Sequence, residues 1–313
     1  MLQYLLRRLV TAIPVMLLVS LMSFAVIWLV PGDPAAAFLD ASATQEQIAR
    51  VREELGLNRP LWEQMVQWYG RVLTGDLGQS ILLHRSVMDA LLERLPITLS
   101  LAGLALVLAA LMGISAGIYA AMHRGQVADR TVMTASLMGL SMPDFWLGLV
   151  LIVVFAVGLG WLPSGGFVSP SESLLGWLRT MALPAITLAL VQTGFIARMT
   201  RSAMLDVLHQ DFIRTADAKG LRHSFVVLRH GLPNALLPIL TVLGIIAGSL
   251  LGGAVVVEQV FSLPGVGRLI IGAIMSRDFP VIQGGLLFLA AIYVLINLFV
   301  DLLYAAVDPR VRL

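Results

Sequence analysis

The sequence predicts an all-α membrane protein with six transmembrane helices. The first observation is composition: of 313 residues, 58% are hydrophobic and 13% are charged, whereas soluble domains average about 45–50% apolar and 25% charged residues. The second is a mean hydropathy of +0.88. The third is six apolar runs of a length that can cross a bilayer. The chain has no Cys, which excludes disulfides and thiolate catalysis.

The six predicted spans follow in order. They cover residues 9–30, 97–122, 132–159, 181–197, 235–257 and 281–307. The first run has 22 residues and exceeds the roughly 7–15 apolar residues of a secretory signal, so we expect it to be a retained span. The fourth run is short, and the sixth is long enough to tilt.

Basic residues alternate between the loops. The segments before the first span, between spans two and three, between spans four and five, and after the last span hold 12 of the 21 Lys and Arg residues. The other two short loops hold only Arg179, Arg268 and Arg277. Because short cytoplasmic loops collect Lys and Arg, both termini are predicted to be cytoplasmic.

The long connection at residues 31–96 differs from the spans. It carries 15 of the 40 charged residues, so we expect a solvated helical subdomain outside the membrane. Thr44 and Gln47 form a capping-box pattern that predicts a helix start. A further short helix is predicted from Ser86 to Pro96.

The sequence has no supported motif for catalysis. The single lysine, Lys219, is followed by Gly220, so the chain has no Gly-Lys-Ser/Thr phosphate loop and cannot hydrolyse ATP by that route. The Gly113–Gly117 segment matches a hydrolase nucleophile elbow, which requires a strand before the turn. Here it lies inside an apolar span, where helix packing is the better interpretation. We predict that the chain is not an enzyme.

A few polar and small residues stand out within the spans. Asp144, directly after Pro143, is the one acid well inside a span. It is either a polar point on a transport route or a cap of the helix that restarts after the proline. Gln192 is a weaker candidate of the same kind.

Three glycines share one face of the fifth span: Gly244, Gly248 and Gly252. That face predicts either internal packing or a subunit interface or pathway wall.

The loop at 198–233 carries the most specific motif. It contains Arg214-Thr215-Ala216, then Gly220, then His230-Gly231-Leu232-Pro233. This spacing resembles the inner-membrane permease subunits of bacterial ABC importers, whose shared loop reads Glu-Ala-Ala, three residues, Gly, nine residues, then Ile-x-Leu-Pro. Ala216, Gly220, Leu232 and Pro233 match, whereas the Glu, the first Ala and the Ile do not. The form Arg-Thr-Ala-x-Ala-Lys-Gly is similar to the dipeptide/oligopeptide branch of that family.

Other short motifs in order along the chain support the same resemblance. They are Pro31-Gly32-Asp33-Pro34, Gly75-Asp76-Leu77-Gly78, Phe261-Ser262-Leu263-Pro264-Gly265-Val266-Gly267-Arg268, Arg277-Asp278-Phe279-Pro280 and Asp308-Pro309-Arg310. Together they look like the first of the two permease subunits of a peptide-type importer.

The resemblance implies a type I importer permease in the bacterial inner membrane. Its parts would be an N-terminal transmembrane helix (1–30), a periplasmic helical subdomain (31–96) and a core of five transmembrane helices (97–313). The implied partners are a second homologous permease, two ABC ATPase subunits that bind ATP and Mg²⁺, and a periplasmic substrate-binding protein; this chain itself would need no cofactor or metal. Cargo would be a di- or oligopeptide, with glutathione and nickel chelates carried by relatives.

The resemblance also assigns site residues. The expected ATPase-coupling residues are Arg214, Thr215, Ala216, Asp217, Ala218, Lys219, Gly220 and Pro233. Independently of the resemblance, the polar and small residues within the spans give the candidates for the translocation pathway: Asp144, Gln192, Gly248 and Gly252. The alternative is an ion-coupled secondary transporter, a class that commonly shows internal repeats and several intramembrane ionisable groups. We find no repeat and one such residue in the sequence, so the ABC permease is favoured.

Overall fold

The computed structural model describes residues 2–29, 35, 44–54 and 57–307, and these contain helices and no β-strand. The helices are α1 (Leu2–Leu29), α2 (Gln45–Glu54), α3 (Leu61–Leu73), α4 (Val87–Met122), α5 (Val127–Ser141), α6 (Asp144–Leu151), α7 (Leu174–Leu208), α8 (Asp211–Ala218), α9 (His223–Val226), α10 (Leu232–Val260), α11 (Val266–Ser276) and α12 (Phe279–Val307). A π-helical segment, Ile152–Gly158, continues α6, and another, Val227–Gly231, joins α9 to α10. The predicted all-α class is confirmed.

Within these ranges, five helices are long and apolar enough to cross a bilayer: α1, α4, α7, α12 and the continuous helix His223–Val260. A sixth crossing is present when α5 and α6 are taken as one bent span, which agrees with the six predicted spans. The fourth is longer than predicted, because α7 has 35 residues. The helix extends beyond the predicted 181–197 at both ends, through Leu174–Thr180 and Arg198–Leu208.

The third predicted span is not one helix. α5 and α6 meet at an angle of 104°. Pro143 explains the break: it supplies no N–H to an α-helix, and it forces the preceding residue out of the helical region. Accordingly, Met142 is extended, with φ −90° and ψ 130°, and α6 begins at Asp144.

The chain divides into two compact units. One comprises Leu2–Ile97 and Pro264–Leu295; the other comprises Thr98–Leu263 with the chain from Ile296 on. In the first unit, the start of α4, α11 and the start of α12 share a core. Helix α11 lies where the sequence predicts only a short connection. It buries Leu269, Ile270 and Ala273 on one side, as an amphipathic helix does.

The region after α1 is partly as predicted. The capping box is confirmed, because Thr44 N–H donates to Gln47 Oε1 at 2.8 Å and Gln47 N–H to Thr44 Oγ1 at 3.3 Å. The short helix predicted to end at Pro96 is wrong, since α4 runs through Pro96 for 36 residues. Side chains on both sides of the proline are fully buried, among them Leu91 and Leu101. This packing outweighs the hydrogen bond that Pro96 lacks.

The second unit is organised around α7, which α5 and α10 contact along much of its length. Glycines allow the backbones to approach. An ideal Cβ on Gly117 of α4 would lie 2.5 Å from the carbonyl oxygen of Ala197 in α7. A Cβ on Gly194 would likewise overlap the carbonyl oxygen of Ser136 in α5. Such small-residue contacts are typical of helix packing in membranes.

Candidate functional site

The segment between α7 and α10 contains the predicted coupling residues. α8 is a short helix whose end is defined by Gly220, which has φ +77°. Gly220 N–H donates to the carbonyl oxygen of Asp217 at 2.9 Å, and Lys219 N–H donates to that of Thr215 at 3.2 Å. A left-handed glycine just past the last turn is a common helix stop, so the predicted stop at Gly220 is confirmed.

α8 has one inward and one outward face. Ile213 and Ala216 are buried, at 2% and 9% exposure, and form a small cluster with Val226 of α9. Ala216 therefore contacts its own chain. The other predicted coupling residues are exposed: Arg214, Thr215, Asp217, Ala218, Lys219, Gly220 and Pro233. The inward contact holds the short helix in place and presents its outer face.

Exposed apolar side chains accompany that outer face. They are Phe212, Leu221, Phe225 and Leu228, each at least 40% exposed. Exposed basic residues alternate with them: Arg214, Lys219, Arg222 and Arg229. Large apolar side chains left exposed in a charged segment are typical of a protein interaction surface. The coupling residues predicted from the sequence do not include these four apolar residues, whose exposure depends on how α8 packs against α9.

Two polar contacts attach α7 and the start of this segment to the first turn of α5 and to the turn between α4 and α5. Arg201 of α7 donates to both carboxylate oxygens of Asp129, from Nε to Oδ1 at 2.6 Å and from Nη2 to Oδ2 at 2.7 Å. Arg124 Nη1 lies 2.9 Å from Nε2 of His209, the residue that follows α7. In the sequence, Arg124 and Arg201 serve only as indicators of orientation. Asp129 and Arg201 are 72 positions apart, and residues so distant cannot be paired from their spacing.

Asp144 is the first residue of α6. Pro143 is the N-cap residue, and no side chain makes a capping hydrogen bond there. Asp144 is half-buried, and none of the described Lys, Arg or His residues forms an ion pair with it. Its Oδ2 lies against Gly253 of α10, where an ideal Cβ would be only 3.1 Å away. The first turn favours an acid through the helix dipole, so the structure leaves both interpretations of Asp144 in place.

The other pathway candidates lie in different surroundings. Gln192 is half-buried on α7, Gly248 is buried, and Gly252 is exposed, with no atom within 4 Å of an ideal Cβ. A Cβ on Gly244 would overlap Val300 of α12. The glycine face of α10 therefore packs internally at Gly244 and is open at Gly252. In the described part of the chain, no group of three or more His, Asp or Glu residues could hold a metal ion.

Comparison with known proteins places these features in a family. The family of binding-protein-dependent transport system inner membrane components matches residues 113–313, and its N-terminal companion matches residues 1–102. The chain belongs to this family. It is the permease of an ABC importer, a multi-pass inner-membrane protein, as the motif in the 198–233 loop predicts.

Two relatives of full length and one solved structure are similar to the chain. A Brucella abortus (strain 2308) protein, described provisionally as a peptide transport system permease, is 48% identical over 98% of both chains. The dipeptide transport system permease of Alkalihalophilus pseudofirmus is 42% identical over 100% of both chains. The solved MetNI methionine ABC transporter is similar in fold, with a TM-score of 0.58 and 23% identity over 71% of this chain and 97% of that one.

Proposed function

We propose that this permease forms half of the pathway that carries di- or oligopeptides into the cell. A second homologous permease supplies the other half, two ATPase subunits hydrolyse Mg-ATP, and a periplasmic binding protein delivers the cargo. Both termini are cytoplasmic in this proposal. The named functions of the similar permeases and the peptide-branch form of the loop motif support the cargo class. The ion-coupled alternative has no comparable support.

The observation that carries the proposal is the two-faced helix α8. Ile213 and Ala216 fix it to α9, whereas Phe212 is 40% exposed and the exposed Arg214 pairs with Asp211 of the same helix at 3.7 Å. A short helix held rigidly on its chain can transmit displacement, which a flexible loop would dissipate. We therefore assign the outer face of α8, with Phe225 of α9, to contact with the ATPase.

The docking test truncates an exposed aromatic residue. Phe212→Ala should lower the amount of ATPase that co-purifies with the tagged permease and the hydrolysis stimulated by loaded binding protein. Phe299→Ala is the matched control, because Phe299 of α12 is also exposed, at 62%, but lies far along the chain from the loop. If both variants behave alike, or if Phe212→Ala is silent, α8 does not dock the ATPase.

A second test addresses the inward face. Ala216→Arg would place a charge among Ile213 and Val226, and burying an unpaired charge is costly. We expect a membrane-inserted permease that loses transport, together with ATPase binding or its response to loaded binding protein. Wild-type transport and hydrolysis for this variant would remove the segment from coupling.

The pathway assignment is tested at Asp144. If its carboxylate faces the cargo route, Asp144→Leu should impair uptake while the complex stays assembled. Failure of the variant to accumulate would favour a structural role in the first turn of α6. Normal uptake by an assembled Asp144→Leu complex would exclude Asp144 from the mechanism.

A further inference from the structure

An ion pair connects the first turn of α5 to the C-terminal part of α7. The Asp129 side chain is 5% exposed and that of Arg201 is 26% exposed. Besides the two hydrogen bonds from Arg201, Asp129 Oδ2 accepts a hydrogen bond from Gly125 N–H at 2.9 Å. Gly125 has φ +78°, a conformation that favours glycine. The carboxylate thus receives three N–H donors in a fixed arrangement.

This ion pair fixes the relative position of two helices more than it stabilises the fold. Replacing a buried ion pair by packed apolar residues is often neutral or stabilising, so the pair is weak as a stabilising device. A two-pronged guanidinium–carboxylate contact, however, fixes both the distance and the relative orientation of the groups that carry it. Here those groups belong to α5 and α7.

A second contact lies closer to α8. His209 Nδ1 is 2.5 Å from the carbonyl oxygen of Leu205, which fits a proton on Nδ1. Nε2 of the same ring is then free to accept from Arg124, 2.9 Å away. Because His209 lies two residues before the start of α8, Asp129 of α5 holds α7, and Arg124 of the α4–α5 turn holds the joint between α7 and α8.

Helix α5 extends these contacts to the broken span. It carries Asp129 in its first turn, packs against α7 at the Ser136–Gly194 contact and ends one residue before Met142–Pro143. At 1.5 Å per residue, the path from Asp129 to Pro143 is about 21 Å. A rigid attachment at the cytoplasmic end therefore reaches the bend that carries Asp144.

We propose that Asp129 and Arg201, assisted by Arg124 and His209, form a clamp that makes α8, α7 and α5 move as one body. Asp129 and Arg201 are positioning residues that carry displacement of α8 to the break at Pro143. The inference rests on the proposed coupling role of α8. It adds the route by which that displacement enters the membrane.

The clamp is tested in the reconstituted complex with its ATPases, binding protein and a labelled tri-alanine probe. Asp129→Asn keeps the side-chain shape but removes the charge. We expect ATPase binding and stimulated hydrolysis within twofold of wild type, whereas peptide moved per ATP falls by about tenfold, within the roughly 5–150-fold range of coupling between sites. Glu93→Gln is the control, since it breaks the exposed Arg85–Glu93 ion pair of 2.6 Å.

A distance measurement separates this proposal from the cargo assignment. Because the chain has no Cys, spin labels can be attached at Asp211→Cys, the first residue of α8, and at Ser141→Cys, both exposed positions. We expect a narrow distance distribution that is the same with and without trapped nucleotide, and a broader, nucleotide-dependent one in Asp129→Asn. This readout needs no cargo. Loss of ATPase binding in the unmutated chain would contradict the coupling role itself.

Three results would overturn the clamp. They are a wild-type transport ratio for Asp129→Asn, an unchanged distance distribution in that variant, and a wild-type ratio for the neutral double variant Asp129→Asn/Arg201→Gln. If Asp129→Asn fails to assemble, the double variant provides the test, because the double variant leaves no unpaired buried charge. Should the double variant also fail to assemble, the pair is needed for folding and not for coupling.

Discussion

Gly220 offers a substitution whose effect is confined to the backbone. It has φ +77°, and no atom lies within 4 Å of an ideal Cβ. A side chain at this position therefore meets no neighbour within the chain, and the penalty comes from the left-handed conformation alone. For an ordinary L-residue that penalty is about 1–2 kcal/mol, and a β-branched residue is a stronger outlier there.

The magnitude follows from this penalty. About 1–2 kcal/mol shifts the equilibrium between the native turn and competing helix ends by about 5- to 30-fold. Gly220→Ala should lower coupled transport within that range, and Gly220→Val should lower it further. Gly220→Asn should remain close to wild type, because Asn is the residue after Gly that most readily adopts this conformation.

The assay is peptide uptake and binding-protein-stimulated ATP hydrolysis in proteoliposomes, normalised to the amount of assembled complex. The order of activity should be Gly, Asn, Ala, Val. Wild-type activity of Gly220→Val would show that the helix stop is dispensable. Equal loss in the Asn and Val variants would show that Gly220 is required for space at a partner surface, which contradicts the backbone argument.

Two further predictions concern the membrane part and its orientation. Gly253→Ala places a Cβ 2.9 Å from Leu188 Cδ2 and 3.1 Å from Asp144 Oδ2, an overpacking that typically costs about 1–3 kcal/mol, so the thermal unfolding midpoint and uptake should fall. Gly252→Ala, with no atom within 4 Å, should leave the thermal unfolding midpoint unchanged, and an equal drop in the midpoint of both variants would contradict the packing. For orientation, Leu73→Cys should react with an impermeant maleimide in intact cells and Ser224→Cys should not; the reverse pattern would overturn the proposed topology.

Local signals in the sequence were sufficient for much of the fold. The apolar runs locate the spans, the Thr44–Gln47 pattern gives a helix start, and Gly220 gives a helix end, because each depends on neighbouring residues alone. Pro143 also predicts a break in the helix. The size of the bend, 104°, depends on packing against other helices.

The remaining features depend on contacts between distant parts of the chain. Pro96 reads as a helix boundary, yet buried side chains on both sides of it keep α4 continuous. The inward direction of Ala216 depends on Val226, ten residues later, across a glycine turn. The pairing of Asp129 with Arg201 and the approach of Asp144 to Gly253 join separate helices, so no spacing rule could reveal them.

The break at Pro143 has a consequence for hydration. A helix end leaves up to four carbonyl groups or N–H groups without intrahelical partners, and here two ends meet within one apolar span. In the described structure only weak local bonds cover part of them, such as Met142 N–H to the carbonyl oxygen of Gly139 at 3.4 Å. Hydrocarbon does not tolerate bare peptide groups, so such ends occur only against protein or in a water-filled cavity. The bend should therefore hold ordered water even without cargo, so that the polar ends of α5 and α6 are hydrated inside the span instead of facing dry lipid.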